Sequence, residues 1–258
     1  MKRFPQTVWY AFGLVSVLFM ISPLAIVMFF SFTGNRHATL PAGGFTFDWY
    51  RELAANPDFW PALTNSLIVV GFVGLISMVI GTLAALALVK LRPGLAGGIS
   101  NLLAFPLMLP PLVLALALVT SFSWIGAPLG LWTVILSHLV FTQPFVILIV
   151  TAQMQGFDES LIECSRDLGA SPWQSFSTIV LPIIRATLIG ATLIAMSISL
   201  DDFVITFFTI GGGLTLSTLI WGMLRTSLDP SINALGTLIL FFTLGASTLA
   251  LRITNYRG

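Results

Sequence analysis

The chain has 258 residues, of which 57% are hydrophobic and only 8% charged. A soluble domain carries about 25% charged residues, so polar groups here are too few to cover a globule, and lipid must cover much of the surface. The net charge of +1 comes without a basic run, which gives no footing for nucleic acid, and a single cysteine, Cys164, excludes an intrachain disulfide.

A membrane-spanning helix needs about 20 mostly apolar residues. About six stretches meet that length: Trp9–Phe32, Leu63–Val89, Ser100–Thr120, Leu131–Thr151, Pro182–Ile210 and Ala234–Ile253. The first follows Met1, Lys2 and Arg3 and is too long for a secretory signal, with no small-x-small cleavage site behind it, so it reads as a retained span. The segment after it, residues 33–62, carries Phe47, Asp48, Trp49, Tyr50 and Trp60, a mixture suited to a short helix at the membrane interface. Residues 1–62 thus form a first span with an interfacial segment, and residues 63–258 a five-helix core. The third span contains Pro106, Pro110 and Pro111, which remove hydrogen bonds and kink it. The freed carbonyls then need protein or water as partners, which places this helix inside the bundle as a packing kink or a pathway hinge. Residues 211–233 open with three glycines and read as a loop at the mouth.

Lys and Arg in the connections set the orientation. With the N-terminus inside, Lys2, Arg3, Lys90, Arg92, Arg166, Arg185, Arg252 and Arg257 face inward, against Arg36, Arg51 and Arg225 outward. Both termini are therefore expected in the cytoplasm. The one sizeable polar piece on that side is residues 152–182. There Asp158 can cap a helix over Glu159–Leu168, and Gly169 suits the left-handed residue that ends it. Ser171 can cap a second helix, with Pro172 at its first position and Gln174 completing a capping box. Pro182 is expected to close this segment before the fifth span. Two capped helices around a glycine turn are more than a linker needs, and they read as a docking element.

Glu163-Cys164-Ser165, Gly169, and Ile179-x-Leu181-Pro182 resemble the EAA loop of binding-protein-dependent ABC importer permeases, with its spacing kept throughout. The departure is that the two alanines are Cys164 and Ser165, which are still small. The chain further resembles the spermidine/putrescine group, and within it the second, shorter permease. That likeness rests on Phe47-x-Trp49-Tyr50, Asn65-Ser66-Leu67, Gly81-Thr82-Leu83-Ala84, Ser137-His138, Pro144-Phe145-Val146 and Ser199-Leu200-Asp201-Asp202-Phe203. The resemblance implies an all-α, type I ABC importer permease fold in a bacterial inner membrane, forming half of the path for a small cationic solute. It implies a second homologous permease, a dimer of ATP-binding subunits and a periplasmic binding protein as partners, with ATP and Mg bound by the ATPase and no cofactor in this chain. The coupling contact would fall on Glu163, Cys164, Ser165, Asp167, Leu168, Gly169, Ala170 and Ser171.

Asp201 and Asp202 fall inside the fifth stretch, where a carboxylate is costly and faces a cavity or a partner. On a continuous helix Asp202 shares a stripe with Thr192, Ser199, Thr206 and Thr209, and Asp201 lies about 100° around. The stripe reads as oxygens along one wall of the path, with Asp202 as its carboxylate and Asp201 of lesser weight. The contrary reading buries either carboxylate in a helix interface. His138 reads as an interhelical hydrogen bond, because with only His37 beside it no histidine metal cluster can form. No enzyme is expected. The only lysines, Lys2 and Lys90, lie in no phosphate-binding loop, no His-Glu-x-x-His pair is present, and the paired aspartates sit on one helix. The alternatives are an ion-coupled secondary transporter, since carboxylates in a path suit ion coupling, and the same importer class with another small amine or zwitterionic solute.

Overall fold

The computed structural model describes residues 6–35, 43–226 and 229–255. Lys2, Arg3, Arg36, His37 and Arg257 lie outside the described residues. Every regular element among the described residues is helical, apart from an isolated bridge between Thr33 and Phe45. Four helical runs are long and apolar enough to cross a membrane: Val8–Phe30, Phe59–Leu88, Leu131–Gln155 and Pro172–Asp201. The pair Pro93–Met108 and Pro111–Trp124, bent by 101°, makes a fifth if taken as one span. The sixth expected stretch lies in the last helix, Ser231–Asn255, which is 25 residues long.

The chain divides into two compact units, Met1–Trp60 with Ile220–Leu244, and Pro61–Leu219 with Gly245–Gly258. In the first, α1 (Gln6–Phe30) has an apolar window with none of its residues buried inside the chain, as a helix clothed by lipid or by another subunit requires. Helix α2 (Asp48–Ala55) is a short helix in the segment where one was expected. It is fastened by Trp49 Nε1, which donates to the Thr33 carbonyl at 2.6 Å, and by burial of Leu53. Phe32, Phe45, Phe47 and Tyr50 cluster beside it with ring centroids 5.0 to 6.1 Å apart.

The second unit is built on α3 (Phe59–Leu88), α4 (Pro93–Met108), α5 (Pro111–Trp124) and α6 (Leu131–Gln155). It continues through α7 (Ser160–Asp167), α8 (Pro172–Ser175), a π-helical turn (Phe176–Val180), α9 (Leu181–Asp201) and α10 (Val204–Thr209). Helices α6 and α9 form its centre around Val146, Val150, Ile184, Leu188, Ala191 and Ala195. Two glycines let α3 come close: a Cβ on Gly74 would stand 2.8 Å from Met196, and one on Gly81 2.5 Å from Val146.

Three expectations are corrected. The fifth span does not begin at Pro182; helix runs on from Pro172 to Asp201 without interruption. Pro182 has no N–H to give, and the π-turn absorbs the defect just ahead of it, where Leu181 N donates to Phe176 O, five residues back. Nor does the span continue to Ile210: α9 ends at Asp202, whose backbone turns extended at φ −67°, ψ 117°. The glycine-opened segment after it is not all loop, since it holds α11 (Leu216–Thr226). The proline-rich third stretch breaks at Leu109–Pro110 as its composition foretells, and the break is a sharp bend rather than a gentle kink.

Candidate functional site

The docking element forms from its own punctuation residues. Asp158 Oδ1 accepts the Ser160 amide at 3.0 Å, and the Ser160 hydroxyl and amide together hold its carboxyl below the usual carboxylate range. Helix α7 closes in a Schellman motif: Gly169 N donates to Arg166 O at 2.8 Å and Ala170 N to Ser165 O at 3.0 Å. Gly169 sits at φ +87°, as this closure requires. Helix α8 opens with the expected capping box, in which Ser171 N donates to Gln174 Oε1 at 2.7 Å and Gln174 N to Ser171 Oγ at 3.3 Å. The two helices are tied by Ser165 Oγ and Ser175 Oγ, 2.7 Å apart. A hydroxyl at the second small position of the motif thus makes a bond alanine could not. Glu163, Cys164, Asp167, Leu168, Gly169 and Ser171 are exposed, and Ser165 and Ala170 half-buried. Leu168, 90% exposed, and Trp173, 71% exposed, are large apolar side chains standing free on this small element.

The second feature is the break after α9. Its two carboxylates part company. Asp202 turns back into the protein: Oδ2 accepts Thr206 N at 2.9 Å and lies 3.4 Å from His138 Nε2, leaving the side chain 12% exposed. Its carbonyl accepts Ser217 Oγ at 2.8 Å and Thr206 Oγ1 at 3.0 Å. Asp201 is exposed, and no described residue pairs with its carboxylate. It lines an open cavity of about 470 Å³, as Asp202 also does. Pro106, Leu107, Leu109 and Pro111, the vertex of the bent α4–α5 pair, line the same cavity. The bent α4–α5 pair and the helix break after α9 therefore meet at one cavity, where broken helices leave polar backbone and side chains for a solute.

The expected stripe of oxygens is not a wall of this cavity. With the helix broken at Asp202 its phase is lost, and Thr192, Ser199, Thr206 and Thr209 are buried inside the chain. Ser199 and Thr206 bond His138, and Thr209 bonds the Ile205 carbonyl. His138 is the interhelical hydrogen bond expected of it. Sequence reasoning missed its pairing with Asp202 and the part played by Ser217; nothing in the pattern around Ser217 signals a partner fifteen residues away. The proline vertex was legible as a candidate hinge, though not as part of the cavity the aspartates line.

Residues 77–256 match the model of the binding-protein-dependent transport system inner membrane component family. The chain is 30% identical over 246 residues to the spermidine/putrescine transport system permease protein PotC of Haemophilus influenzae, covering 95% of each chain. It is 33% identical to the putrescine transport system permease protein PotI of Escherichia coli, over 88% of this chain and 83% of that one. Among solved structures, a bacterial ABC transporter involved in the import of the acidic polysaccharide alginate superposes with a TM-score of 0.72 at 19% identity, covering 96% of each chain. The MetNI methionine ABC transporter in an inward-facing form gives 0.62 at 20% identity over 78% of this chain and 98% of that one. The docking turn and the broken spans are thus features of a multi-pass inner-membrane component, and the chain belongs to the binding-protein-dependent transport system inner membrane component family, the non-enzymatic permease subunits of ABC importers.

Proposed function

We propose that this permease forms half of the path for a polyamine or a similar small cationic solute, paired with a second, different permease. The observation that carries the reading is Asp201, a carboxylate without a partner among the described residues, lining the cavity where the bent α4–α5 pair meets the break after α9. A carboxylate there can receive an ammonium group as it sheds water, more strongly than a hydroxyl can. The names of the PotC and PotI relatives point to the same chemistry, while the alginate and methionine systems show that the fold alone does not fix the solute. The exposed turn from Glu163 to Ser171 is the surface that docks on an ATP-binding subunit, which would hold the nucleotide and magnesium. A periplasmic binding protein delivers the solute from the other side, and both termini lie in the cytoplasm.

The test is ATP-driven uptake by the reconstituted complex across putrescine, spermidine, methionine and an alginate oligosaccharide. Uptake confined to the amines supports the reading. Uptake of an anionic or uncharged solute in preference to amines rejects it, as does accumulation against a gradient by this chain alone.

A further inference from the structure

We infer that His138 is a positioning residue for transport: it clamps both sides of the break after α9, keeping Asp202 in its hydrogen bonds so that Asp201 is the free, exposed carboxylate of the cavity both residues line. The inference rests on the reading of that cavity as part of the path.

No proline or glycine lies between Asp201 and Val204 to force the break. Asp202 supports it locally by taking the Thr206 amide on its carboxylate. Backbone groups freed where a helix breaks need partners inside the protein. Here the Asp202 carbonyl accepts from Ser217 Oγ and Thr206 Oγ1, while the side chains on either side of the break are joined from another helix. His138, on α6, reaches α9 with Nδ1, 2.7 Å from Ser199 Oγ, and α10 with Nε2, 2.9 Å from Thr206 Oγ1. One ring therefore bridges the two half-helices, and the same Nε2 stands 3.4 Å from the Asp202 carboxylate. A neutral ring with its proton on Nε2 satisfies all of these contacts: Nε2–H donates toward Thr206 and Asp202, and Nδ1 accepts from Ser199. Thr206 completes the closure, donating its hydroxyl to the Asp202 carbonyl and its amide to the carboxylate.

His138 does not itself meet a solute. It is 1% exposed, with Phe141 packed edge-on at 5.3 Å. The only void it lines among those described is about 10 Å³, shared with Ser66, Ser199, Thr215 and Ser217, room for at most one water. Its influence on transport must therefore pass through the geometry of residues 201–203.

The experiment uses the assembled transporter with its ATPase, second permease and binding protein, in a Cys164→Ser background, which removes the only cysteine of this chain. Asp201→Cys reports the cavity through its rate of modification by a cationic, membrane-impermeant methanethiosulfonate. His138→Leu fills the same space without hydrogen bonds, and should slow modification at Asp201→Cys about tenfold. His138→Gln keeps one donor and one acceptor, and should restore most of the rate. Asp202→Asn should slow it as His138→Leu does, and the two together should slow it no further. Unchanged modification in His138→Leu, or equal loss in the leucine and glutamine variants, overturns the clamp. Should His138→Leu fail to assemble, His138→Gln decides: a rate within about threefold of the parent sustains the clamp, and a larger loss refutes it. The labelling rate is independent of solute identity, so the failure of the polyamine reading is distinguished by uptake alone.

Discussion

Gly169 offers the cleanest perturbation of the docking turn. It sits at φ +87°, and a Cβ built there meets nothing within 4 Å in this chain. The cost of a side chain is therefore backbone strain alone, about 1–2 kcal/mol for an L-residue held in the left-handed region. Relaxing that strain means losing the Schellman bonds to Arg166 and Ser165, which set the angle between α7 and α8. At 1–2 kcal/mol the competent geometry becomes about 5- to 30-fold rarer. Gly169→Val should thus weaken ATPase binding by about that factor and slow ATP-driven uptake in parallel, while the helices still insert. Gly169→Asn, whose side chain tolerates the left-handed region, should lose much less. Gly169→Asp has the same shape as asparagine and adds charge, so the gap between those two reads the electrostatics of the covered surface. Binding is measured by titrating labelled ATPase onto the detergent-solubilised permease pair. Wild-type affinity for Gly169→Val would refute the backbone argument, and an asparagine variant as weak as valine would move the cause to side-chain bulk at the interface.

The exposed Cys164 should react with a maleimide in the free permease pair and become protected once the ATPase is bound; equal labelling in both states would remove it from the contact. Asp201→Asn should lower kcat/KM for a cationic solute by about tenfold, the low end of a charge-assisted hydrogen bond because the cavity is open, with binding-protein affinity intact. Asp202→Asn should instead disturb the break and lower the melting temperature of the complex, so a variant with wild-type stability and uptake would contradict its structural role. Gly81→Ala places a methyl 2.5 Å from a Val146 methyl and should destabilise the α3–α6 contact by about 1–3 kcal/mol, read as a lower melting temperature in detergent.

The docking turn was legible because its determinants are local. Asp158, Gly169, Ser171, Pro172 and Gln174 each act within a few residues, and each does in the fold what its chemistry suggests. The break at Asp202 was not, because beside the local bonds to Thr206 its partners are remote: His138 lies on another helix, and Ser217 beyond a glycine loop. A hydropathy window runs through Arg185, Asp201 and Asp202 and joins Pro182 to Ile210 as one long stretch interrupted by charge, and a carboxylate stripe drawn on that helix inherits the error. The proline at 182 misled in the opposite direction. It looks like a helix start, yet a turn wound five residues deep lets the helix pass through it.

That passage has a mechanical consequence. The run Pro172–Asp201 counts 30 residues, about 45 Å at 1.5 Å per residue. It begins on the docking turn and ends at the carboxylate on the cavity, so the two ends are one rod. A tilt of about 5° imposed at the docking end swings the far end by about 4 Å, more than the reach of a hydrogen bond. Within the run only the π-turn offers slack, and it lies near the driven end. A subunit that pushes on the turn would therefore move Asp201 against the proline vertex by leverage, with no relay of side chains between them.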